Sequence, residues 1–292
     1  MLKKKILFII NPISGEHNKI AIIKAIPKLL DTEKFDISIT HSKKAGDAAK
    51  LAKKAVENNM DIVVAVGGDG TINEIASQLV HTKTALAIVP CGSGNGLARD
   101  LKIPFHYQNA IKLINHLKIK KIDVGVCNRQ YFFNLTGAGF DAKVAYDFNR
   151  GKKRRFIGYV RALFKEYFTL KNLSFAIKLD HEMILDSFFF ITVANGSQWG
   201  YNVIAAPDAI LNDKMFSVNL CKKPPLFDLI PFGIKMLLGR IDRSKYVTLK
   251  NSKNILLNSG TDFFYHIDGD AKGTTQNLEI SILHEALKII HS

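Results

Sequence analysis

The sequence predicts two domains, a doubly wound α/β domain followed by an antiparallel β-sheet or β-sandwich. The chain has 292 residues, which suits about two domains at roughly 150 residues each. In the first hundred residues, short apolar runs alternate with segments that have the apolar spacing of helices. After about residue 120, β-rich segments separated by turn residues dominate. We therefore place the boundary near Lys121 and expect domains at 1–121 and 122–282.

The N-terminal domain reads as strands and helices in alternation. The segment 4–10 ends in a continuous apolar run, which is typical of a strand buried on both faces. Alternation of this kind predicts a parallel sheet covered by helices on both sides. The predicted strands are 4–10, 35–40, 62–66 and 86–89, and the predicted helices are 20–30, 47–56 and 71–80.

The C-terminal domain reads mainly as strands. The predicted strands are 122–126, 131–135, 175–179, 188–193, 216–220, 246–249, 263–267 and 278–282. Two helices are predicted near 156–168 and 226–239. Because turn residues separate the strands, we expect them to pair antiparallel.

Composition and charge restrict the classes of function. Lys and Arg number 41 against 26 Asp and Glu, so the formal net charge is +15. A positive field of this size favours nucleotides, nucleic acids or acidic membrane surfaces as partners. Nucleic acid is disfavoured because the basic residues are dispersed and no known recognition module is present.

The cysteines and the N-terminus indicate a cytoplasmic protein. The three cysteines are far apart and form no C-x-x-C pair, which disfavours a zinc site or a disulfide framework and suits a reducing compartment. The N-terminal apolar run is about five residues long, too short for a signal peptide. No apolar run approaches the roughly 18 residues of a membrane-spanning helix.

Three glycine-bearing loops follow predicted parallel strands, at residues 11–15, 67–71 and 92–96. Ligands of α/β sheets bind at the carboxyl ends of strands, where glycines allow close approach to backbone N–H groups. Such N–H groups at helix starts bind phosphate oxygens. The loops therefore predict a nucleotide site, although no G-x-x-x-x-G-K-[ST] motif is present.

Asp69 is the acidic member of the second loop. A carboxylate beside bound phosphates repels them unless it holds a cation or accepts a hydrogen bond. This favours Mg²⁺ bound with the nucleotide, or a hydrogen bond to the ribose. A helix N-cap is the alternative role for this aspartate.

These motifs resemble the diacylglycerol kinase catalytic-domain family, which includes sphingosine kinases and bacterial soluble lipid kinases. Gly67-Gly68-Asp69-Gly70-Thr71 matches the nucleotide signature of that family, and the other two glycine loops match its companion motifs. Further motifs follow in the family order over nearly the whole chain. They are Ser42-x-x-x-Gly46-Asp47-Ala48, Ile122-Asp123-Val124-Gly125, Gly139-Phe140-Asp141-Ala142, Asn195-Gly196, Ala206-Pro207-x-Ala209 and Asp268-Gly269.

The resemblance implies a phosphofructokinase-like α/β domain, a C-terminal β-sandwich and an active site in the cleft between them. It also implies that the last residues, 283–292, return to the first domain. The implied reaction transfers the γ-phosphoryl group of ATP to a lipid hydroxyl group, with Mg²⁺ as cofactor. The implied nucleotide-binding residues are Asn11, Pro12, Ser14, Gly15, Ser42, Gly67, Gly68, Asp69, Gly70, Thr71, Asn73, Glu74, Gly92, Ser93, Gly94 and Asn95.

The resemblance implies three catalytic aspartates, Asp69, Asp268 and Asp270. The family has an Asp-Gly-Glu motif where this chain reads Asp268-Gly269-Asp270, so the second acid is one methylene shorter. Both are candidates for proton acceptor or metal organiser. Without the resemblance, a surface D-G turn would be the simpler interpretation. Substitution of Asp69 or Asp268 by Ala is expected to abolish turnover and spare the fold.

A second, structural Mg²⁺ is also implied by the resemblance. Asp213 matches its carboxylate ligand, the carbonyls of Ile210 and Met215 match its main-chain ligands, and Asp123 matches an aspartate in the surrounding polar network. Oxygen ligands of this kind suit hard cations. Lys214 stands where the family usually has Gly, which puts both the turn and cation binding in question.

Several alternatives stay open at the level of sequence. An NAD kinase shares the second glycine loop, and the Asp270 and Lys214 departures suit a non-catalytic binding protein. The segment 137–142 matches a dinucleotide fingerprint, but basic residues follow where an acid is needed, so we reject that interpretation.

Membrane contact and the acceptor also stay open. The amphipathic segment 150–168 suits contact with an anionic membrane or packing on the sandwich, and packing is the simpler interpretation for 226–238. We expect a cytoplasmic enzyme that visits the inner membrane surface. The sequence does not decide the acceptor lipid or whether the chain forms a homodimer.

Overall fold

A computed structural model describes residues 3–15, 18–92, 94–150, 156–200 and 203–292. The chain divides into two compact units. The first unit comprises 1–124 and 284–292, and the second comprises 125–283. The last residues of the chain therefore belong to the first unit.

The first unit alternates strands and helices. Its strands are β1 (Lys4–Ile10), β2 (Phe35–His41), β3 (Ile62–Gly67) and β4 (Ala85–Pro90) and the first part of β5 (Ile119–Cys127); its helices are α1 (Lys19–Leu29), α2 (Asp47–Glu57), α3 (Asp69–Leu79), α4 (Gly96–Asp100) and α5 (Tyr107–Ile114). Every residue of β3 and β4 is buried, as expected for apolar strands between two helical layers. The short helices α4 and α5 were not predicted from the sequence.

The second unit continues β5 and adds mainly strands. Its strands are β6 (Gln130–Phe132), β7 (Leu135–Gly139), β8 (Leu173–Lys178), β9 (Met183–Phe188), β10 (Phe190–Ala194), β11 (Gln198–Gly200), β12 (Val203–Ile204), β13 (Phe216–Cys221), β14 (Val247–Ser252), β15 (Asn254–Ile267) and β16 (Asp270–Ile290); its helices are α6 (Phe140–Arg150), α7 (Phe156–Thr169) and α8 (Leu229–Leu237). Strand β16 is long enough that its last residues lie in the first unit.

The sheet of the first unit has the order β2-β1-β3-β4, followed by the end of β16. Strand β1 pairs in parallel with both β2 and β3, and β3 pairs in parallel with β4. Ile289 near the end of β16 pairs in parallel with Leu86 of β4. Because the chain passes from β1 to β2 on one side and to β3 on the other, the switch point lies between β1 and β3, where α/β sheets bind ligands.

The strands of the second unit pair antiparallel, as the sequence predicted. Strand β7 lies between β10 and β15, β10 pairs with β13, and β15 pairs with β16 and β8. The core is rich in stacked aromatic rings, including the pairs Phe132–Phe216 and Phe175–Phe263. The predicted two-domain class, with an α/β domain and a β-sandwich, is confirmed.

The segment that matches a dinucleotide fingerprint is the end of β7 and the start of α6. Both neighbours of β7 are antiparallel to it, so this strand is not part of a βαβ unit. The geometry agrees with the rejection of a dinucleotide site there. Among the described residues, no helix is both long and apolar enough to span a bilayer.

The end of β16 provides a test of how the first unit depends on the C-terminus. Leu287, Ile289 and Ile290 are buried there. Ile289→Ala is expected to lower the free energy of unfolding by about 2–5 kcal/mol, because it leaves a cavity beside β4. Urea denaturation measures this effect. Lys288→Ala on the same strand is the matched control, and an equal effect of both substitutions would contradict the prediction.

Candidate functional site

The three glycine loops of the first unit are in direct contact. Asn11 Nδ2, after β1, donates to Thr71 Oγ1 at 2.9 Å, across the switch point. Gly15 has a φ of +63°, and a Cβ there would lie 1.6 Å from the carbonyl oxygen of Cys91. The predicted loops therefore form one surface at the carboxyl ends of β1, β3 and β4.

Asp69 ties the second loop to the third. Its Oδ2 accepts from the backbone N–H of Asn95 at 2.8 Å, and its Oδ1 accepts from that of Gly96 at 3.0 Å. Removal from water raises the pKa of the Asp69 carboxyl group, while the hydrogen bonds from Asn95 and Gly96 oppose that shift. The donors that a carboxylate needs beside phosphates are thus supplied by the protein backbone. These two N–H groups of the third loop face Asp69.

The start of α3 differs from the starts of the other two helices that follow these loops. Helix α1 is capped by Asn18, whose side chain accepts from the N–H groups of Ile20 and Ala21. The start of α4 is satisfied by Asp69. Helix α3 has Gly68 as its N-cap residue, which has no side chain to accept from the first N–H groups.

Neither the backbone conformation nor steric crowding requires glycine at position 70. Gly70 is exposed, its φ lies outside the left-handed region, and a Cβ placed there would meet nothing within 4 Å. Glycine within a helix is less favourable than alanine by up to about 1 kcal/mol. The space beside Gly70 is open next to the start of α3, and N–H groups at helix starts can bind phosphate oxygens.

Other predicted nucleotide-binding residues position the loops. Glu74 Oε1 accepts from the N–H of Gly46 at 3.0 Å, which fixes the turn before α2. Ser14 Oγ donates to the carbonyl oxygen of Asn11 at 3.0 Å. Ser77 Oγ donates to Asn73 Oδ1 at 3.4 Å.

The remaining predicted nucleotide-binding positions differ in exposure. Ser42 is buried, and Pro12 is exposed.

The third loop has further contacts. Arg99 Nε donates to the carbonyl oxygen of Gly94 at 2.9 Å. A Cβ at Gly92 would lie 2.8 Å from the Cα of Gly68, so the second and third loops touch there. Ser93 lies outside the described residues.

Asp123 is fully buried in the first unit and holds the C-terminal segment. Its Oδ1 accepts from His284 Nδ1 and from the N–H of Glu285, each at 2.7 Å. Glu285 has a φ of +48° and pairs with Lys121 at 3.5 Å. The carboxylate therefore stabilises a bend in β16; its part in a metal network stays a prediction.

In the second unit, Asp268 and Gly269 form the two-residue turn between β15 and β16. Their φ values are +46° and +80°, which is the pattern of a type I′ hairpin turn. Ile267 and Asp270 pair on either side of the turn. The D-G turn, which is the simpler interpretation of the sequence, is therefore present. In addition, the Asp268 carboxylate accepts hydrogen bonds from a neighbouring backbone segment.

The Asp268 carboxylate accepts hydrogen bonds from the backbone N–H groups of all three residues 133–135. Its Oδ1 accepts from Asn134 and Leu135 at 2.9 and 3.1 Å, and its Oδ2 accepts from Phe133 at 3.0 Å. The N–H of Asp268 donates to the carbonyl oxygen of Leu135 at 2.9 Å. These bonds satisfy a backbone segment that lies between two strands.

Asn195 donates hydrogen bonds to the carbonyl oxygens of the same segment. Its Nδ2 donates to the carbonyl oxygen of Phe133 at 3.0 Å. The N–H groups of Asn195 and Gly196 donate to the carbonyl oxygen of Asn134 at 2.8 and 2.9 Å. The Asn195-Gly196 motif thus has a structural explanation that the sequence alone did not provide.

Asp270 has a different environment from Asp268. Its side chain is 67% exposed and pairs with Lys272 Nζ at 2.7 Å. An exposed ion pair of this kind contributes at most about 1 kcal/mol to stability. Of the two acids in the motif, Asp270 therefore has the accessible carboxylate.

Sequence reasoning did not single out His266, which contacts Asp141 beside this turn. His266 is buried, its Nε2 lies 3.3 Å from Asp141 Oδ2, and its Nδ1 accepts from the N–H of Gly269 at 3.3 Å. Thr192 Oγ1 also donates to Asp141 Oδ2. The available signal was the motif that contains Asp141 and a histidine two residues before Asp268.

The predicted structural metal ligands of the second unit lie on an exposed loop. Ile210 is 55% exposed, and Asp213 Oδ1 accepts from the N–H of Met215 at 3.0 Å. Lys214 has a φ of +65°, so this position does require the left-handed conformation that glycine adopts easily. A carboxylate and main-chain oxygens suit Mg²⁺. The described residues contain no cluster of three or more His, Cys, Asp or Glu side chains able to hold a metal.

The geometry of Asp268 contradicts the expectation that Asp268→Ala spares the fold. This substitution leaves three N–H groups without their acceptor and is expected to lower the free energy of unfolding by about 3 kcal/mol or more. Asp268→Asn keeps one acceptor oxygen and should cost about half as much. Urea denaturation compares these variants with Asp270→Asn, whose expected effect is within about 0.5 kcal/mol. Equal stability of Asp268→Ala and Asp270→Asn would refute this role of Asp268.

Comparison with protein families gives two matches. Residues 5–127 match the diacylglycerol kinase catalytic domain. Residues 134–291 match the YegS C-terminal NAD kinase beta sandwich-like domain. The second match alone covers more than half of the chain.

Individual proteins agree with these matches. A diacylglycerol kinase of Staphylococcus saprophyticus is 28% identical over 281 residues, which cover 93% of this chain and 90% of that protein. One of Staphylococcus aureus is 29% identical over 283 residues, which cover 93% and 88%.

Solved structures show the same fold. A diacylglycerol kinase of Bacillus anthracis has a TM-score of 0.79 at 23% identity, with 99% of this chain and 97% of that chain covered. A second solved chain from that organism has a TM-score of 0.84 at 24% identity, with the same coverage. The resemblance inferred from the motifs is confirmed: the chain belongs to the diacylglycerol kinase family and is an enzyme of the lipid kinase class.

Proposed function

We propose that this lipid kinase transfers the γ-phosphoryl group of ATP to a hydroxyl group of a membrane lipid, with diacylglycerol as the first candidate acceptor. The curated relatives carry the name diacylglycerol kinase. The observation that carries the nucleotide part is the exposed, unobstructed Gly70 at the start of α3. Phosphoryl transfer depends mainly on positioning and on charge neutralisation.

The first unit would bind the nucleotide at its glycine loops. The N–H groups that begin α3 would donate to phosphate oxygens beside Gly70. Asn11 and Thr71 hold the first and second loops together across the switch point. Mg²⁺ bound with the nucleotide would neutralise phosphate charge, and Asp69 would hold the third loop beside the start of α3 through its two backbone hydrogen bonds.

The second unit would supply the group that accepts the hydroxyl proton. Asp268 already accepts three backbone hydrogen bonds, which engage both of its carboxylate oxygens. Asp270 is exposed, and its ion pair with Lys272 is easily exchanged for another contact. We therefore assign Asp270 the role of proton acceptor and Asp268 the role of holding the turn in place.

Labelled ATP and mixed lipid vesicles test the proposal. Label is expected in lipid when the vesicles contain diacylglycerol, and parallel reactions offer sphingoid bases and phosphatidylglycerol. Asp270→Asn should reduce the rate at least about a hundredfold, which is typical for loss of a general base. Asp270→Glu, which restores the family residue, should retain activity.

The competing functions give different results in the same assay. Formation of NADP from NAD and ATP would support an NAD kinase. The C-terminal family match is described as NAD kinase beta sandwich-like, which favours this alternative. Tight binding of ATP without turnover on any acceptor would support a non-catalytic protein. Either result, obtained with folded protein, would overturn the proposal.

Gly70→Ala separates nucleotide binding from stability. The added methyl group should raise the free energy of unfolding by up to about 1 kcal/mol, because alanine favours a helix. The same methyl group should lower ATP affinity about tenfold or more by filling the space at the start of α3. Gly233→Ala on α8 is the matched control, since a Cβ there also meets nothing within 4 Å. Calorimetric titration with ATP and urea denaturation measure the two effects; unchanged ATP affinity in Gly70→Ala would exclude this phosphate position.

A further inference from the structure

Helix α8 and the turn before it expose a continuous set of large apolar side chains. We call this set the apolar ridge, and its exposed fractions range from 51% to 79%. Its members are Leu226, Phe227, Ile230, Ile234, Leu237 and Leu238. Contiguous exposed apolar surface of this kind marks a site of interaction, because it is unfavourable in water.

The ridge is not the packing face of α8. The packing face is formed by Leu229, Phe232 and Met236, which contact the buried cluster around Phe189 and Phe190. These residues follow helical spacing on one side of α8, and the ridge follows the same spacing on the other side. A surface helix normally presents polar residues outward, whereas Lys235 is the sole charged residue of α8.

The part of the chain that carries the ridge is rich in cationic residues. From 222 to 245 the chain has six basic and two acidic residues, a net charge of +4. The basic residues are Lys222, Lys223, Lys235, Arg240, Arg243 and Lys245. The acids take part in exposed pairs, Asp228 with Lys245 at 3.1 Å and Asp242 with Arg243 at 3.9 Å. Lys222 pairs with Asp186 on β9 at 2.7 Å, and with Asp186 included six basic and three acidic residues give a net charge of +3.

We propose that the apolar ridge inserts into the surface of an anionic bilayer and holds the enzyme at the membrane that contains its acceptor. An apolar helix face bordered by Lys and Arg binds anionic lipid surfaces through burial of apolar area and attraction to headgroups. The excess of positive charge over the whole chain acts in the same direction. The inference rests on the proposed lipid acceptor for its purpose, but its geometry is independent of the catalytic residues.

The ridge lies outside the segment 150–168, for which the sequence leaves both membrane contact and packing open. It lies within 226–238, for which packing is the simpler interpretation of the sequence. Within α7, Phe164 and Phe168 are exposed, while Tyr167 is buried and donates from its hydroxyl to the carbonyl oxygen of Pro224 just before the ridge. Residues 151–155, which contain most of the basic cluster, lie outside the described residues.

Vesicle sedimentation without ATP tests the inference. The probe is vesicles of equal parts phosphatidylcholine and phosphatidylglycerol, compared with vesicles of phosphatidylcholine alone. The protein is expected to bind the anionic vesicles and to lose binding as salt is raised. The double variant Phe227→Ser, Ile230→Ser should bind about tenfold more weakly for each side chain removed. Arg240→Gln with Arg243→Gln should weaken binding several-fold.

Matched controls separate docking by the ridge from nonspecific hydrophobic adsorption and from misfolding. Met183 and Leu185 on β9 are 60% and 77% exposed, so Met183→Ser with Leu185→Ser removes a similar exposed area away from α8. This control should bind vesicles as the unchanged protein does. Because the ridge residues are exposed, circular dichroism of both double variants should match that of the unchanged protein.

Three results would overturn the inference. The first is absence of binding to anionic vesicles by the unchanged protein, and the second is equal binding by the ridge variant. The third is a dimer in light scattering that the ridge variant converts to a monomer without any change in vesicle binding, which would assign the ridge to a second copy of the chain.

The kinase assay distinguishes failure of docking from failure of the proposed function. With a short-chain diacylglycerol dissolved as monomers, the ridge variant should keep the rate of the unchanged protein. With diacylglycerol in anionic vesicles, its rate should fall in proportion to the lost binding. If no acceptor is phosphorylated by any variant, the proposed function fails, while the sedimentation result still decides whether the ridge docks.

Discussion

The structure depends on one requirement, that backbone N–H groups in irregular segments find acceptors, and in both units an aspartate carboxylate meets it. In the first unit, Asp69 accepts from the two N–H groups that begin α4. In the second, Asp268 accepts from three consecutive N–H groups between β6 and β7. A buried N–H group without an acceptor costs about 1–3 kcal/mol, so these aspartates determine where the loops lie. Both carboxylates are thereby occupied by structural hydrogen bonds, whereas the neighbouring Gly70 and Asp270 are exposed.

Much of the first unit could be predicted because its signals are local. Buried parallel strands are apolar throughout, and each glycine loop follows its strand directly, so the convergence at the switch point follows from topology. In the second unit, three of the five residues of β7 are glycine or alanine, and the predicted strand 131–135 overlaps β6 and reaches only the first residue of β7. Glycine in a strand weakens the alternating pattern on which the prediction depends. Helix α6, which follows immediately, was not predicted.

The contacts that escaped prediction join residues far apart in sequence. The partners of Asp268 lie more than 130 positions earlier, and His284 lies 161 positions from Asp123. A single sequence shows that an aspartate is present, but which backbone it satisfies is decided only by tertiary packing. The motif of Asp268 therefore suggested catalysis, and its structural role could not be separated from that function. The contact between His266 and Asp141 was not predicted for the same reason, since it spans 125 positions.

Gly15 and Lys214 show how a position can favour glycine in different ways. At Gly15 the left-handed φ coincides with a contact in which a Cβ would overlap the carbonyl oxygen of Cys91. No side chain can be accommodated there without moving the third loop. At Lys214 the φ of +65° is similar, but the residue is exposed, so the requirement is conformational alone. A left-handed residue costs roughly 1–2 kcal/mol, which a fold of this size can tolerate. The Lys for Gly replacement at 214 is thus compatible with the turn, and its effect on this chain would be electrostatic, through an ammonium group adjacent to Asp213.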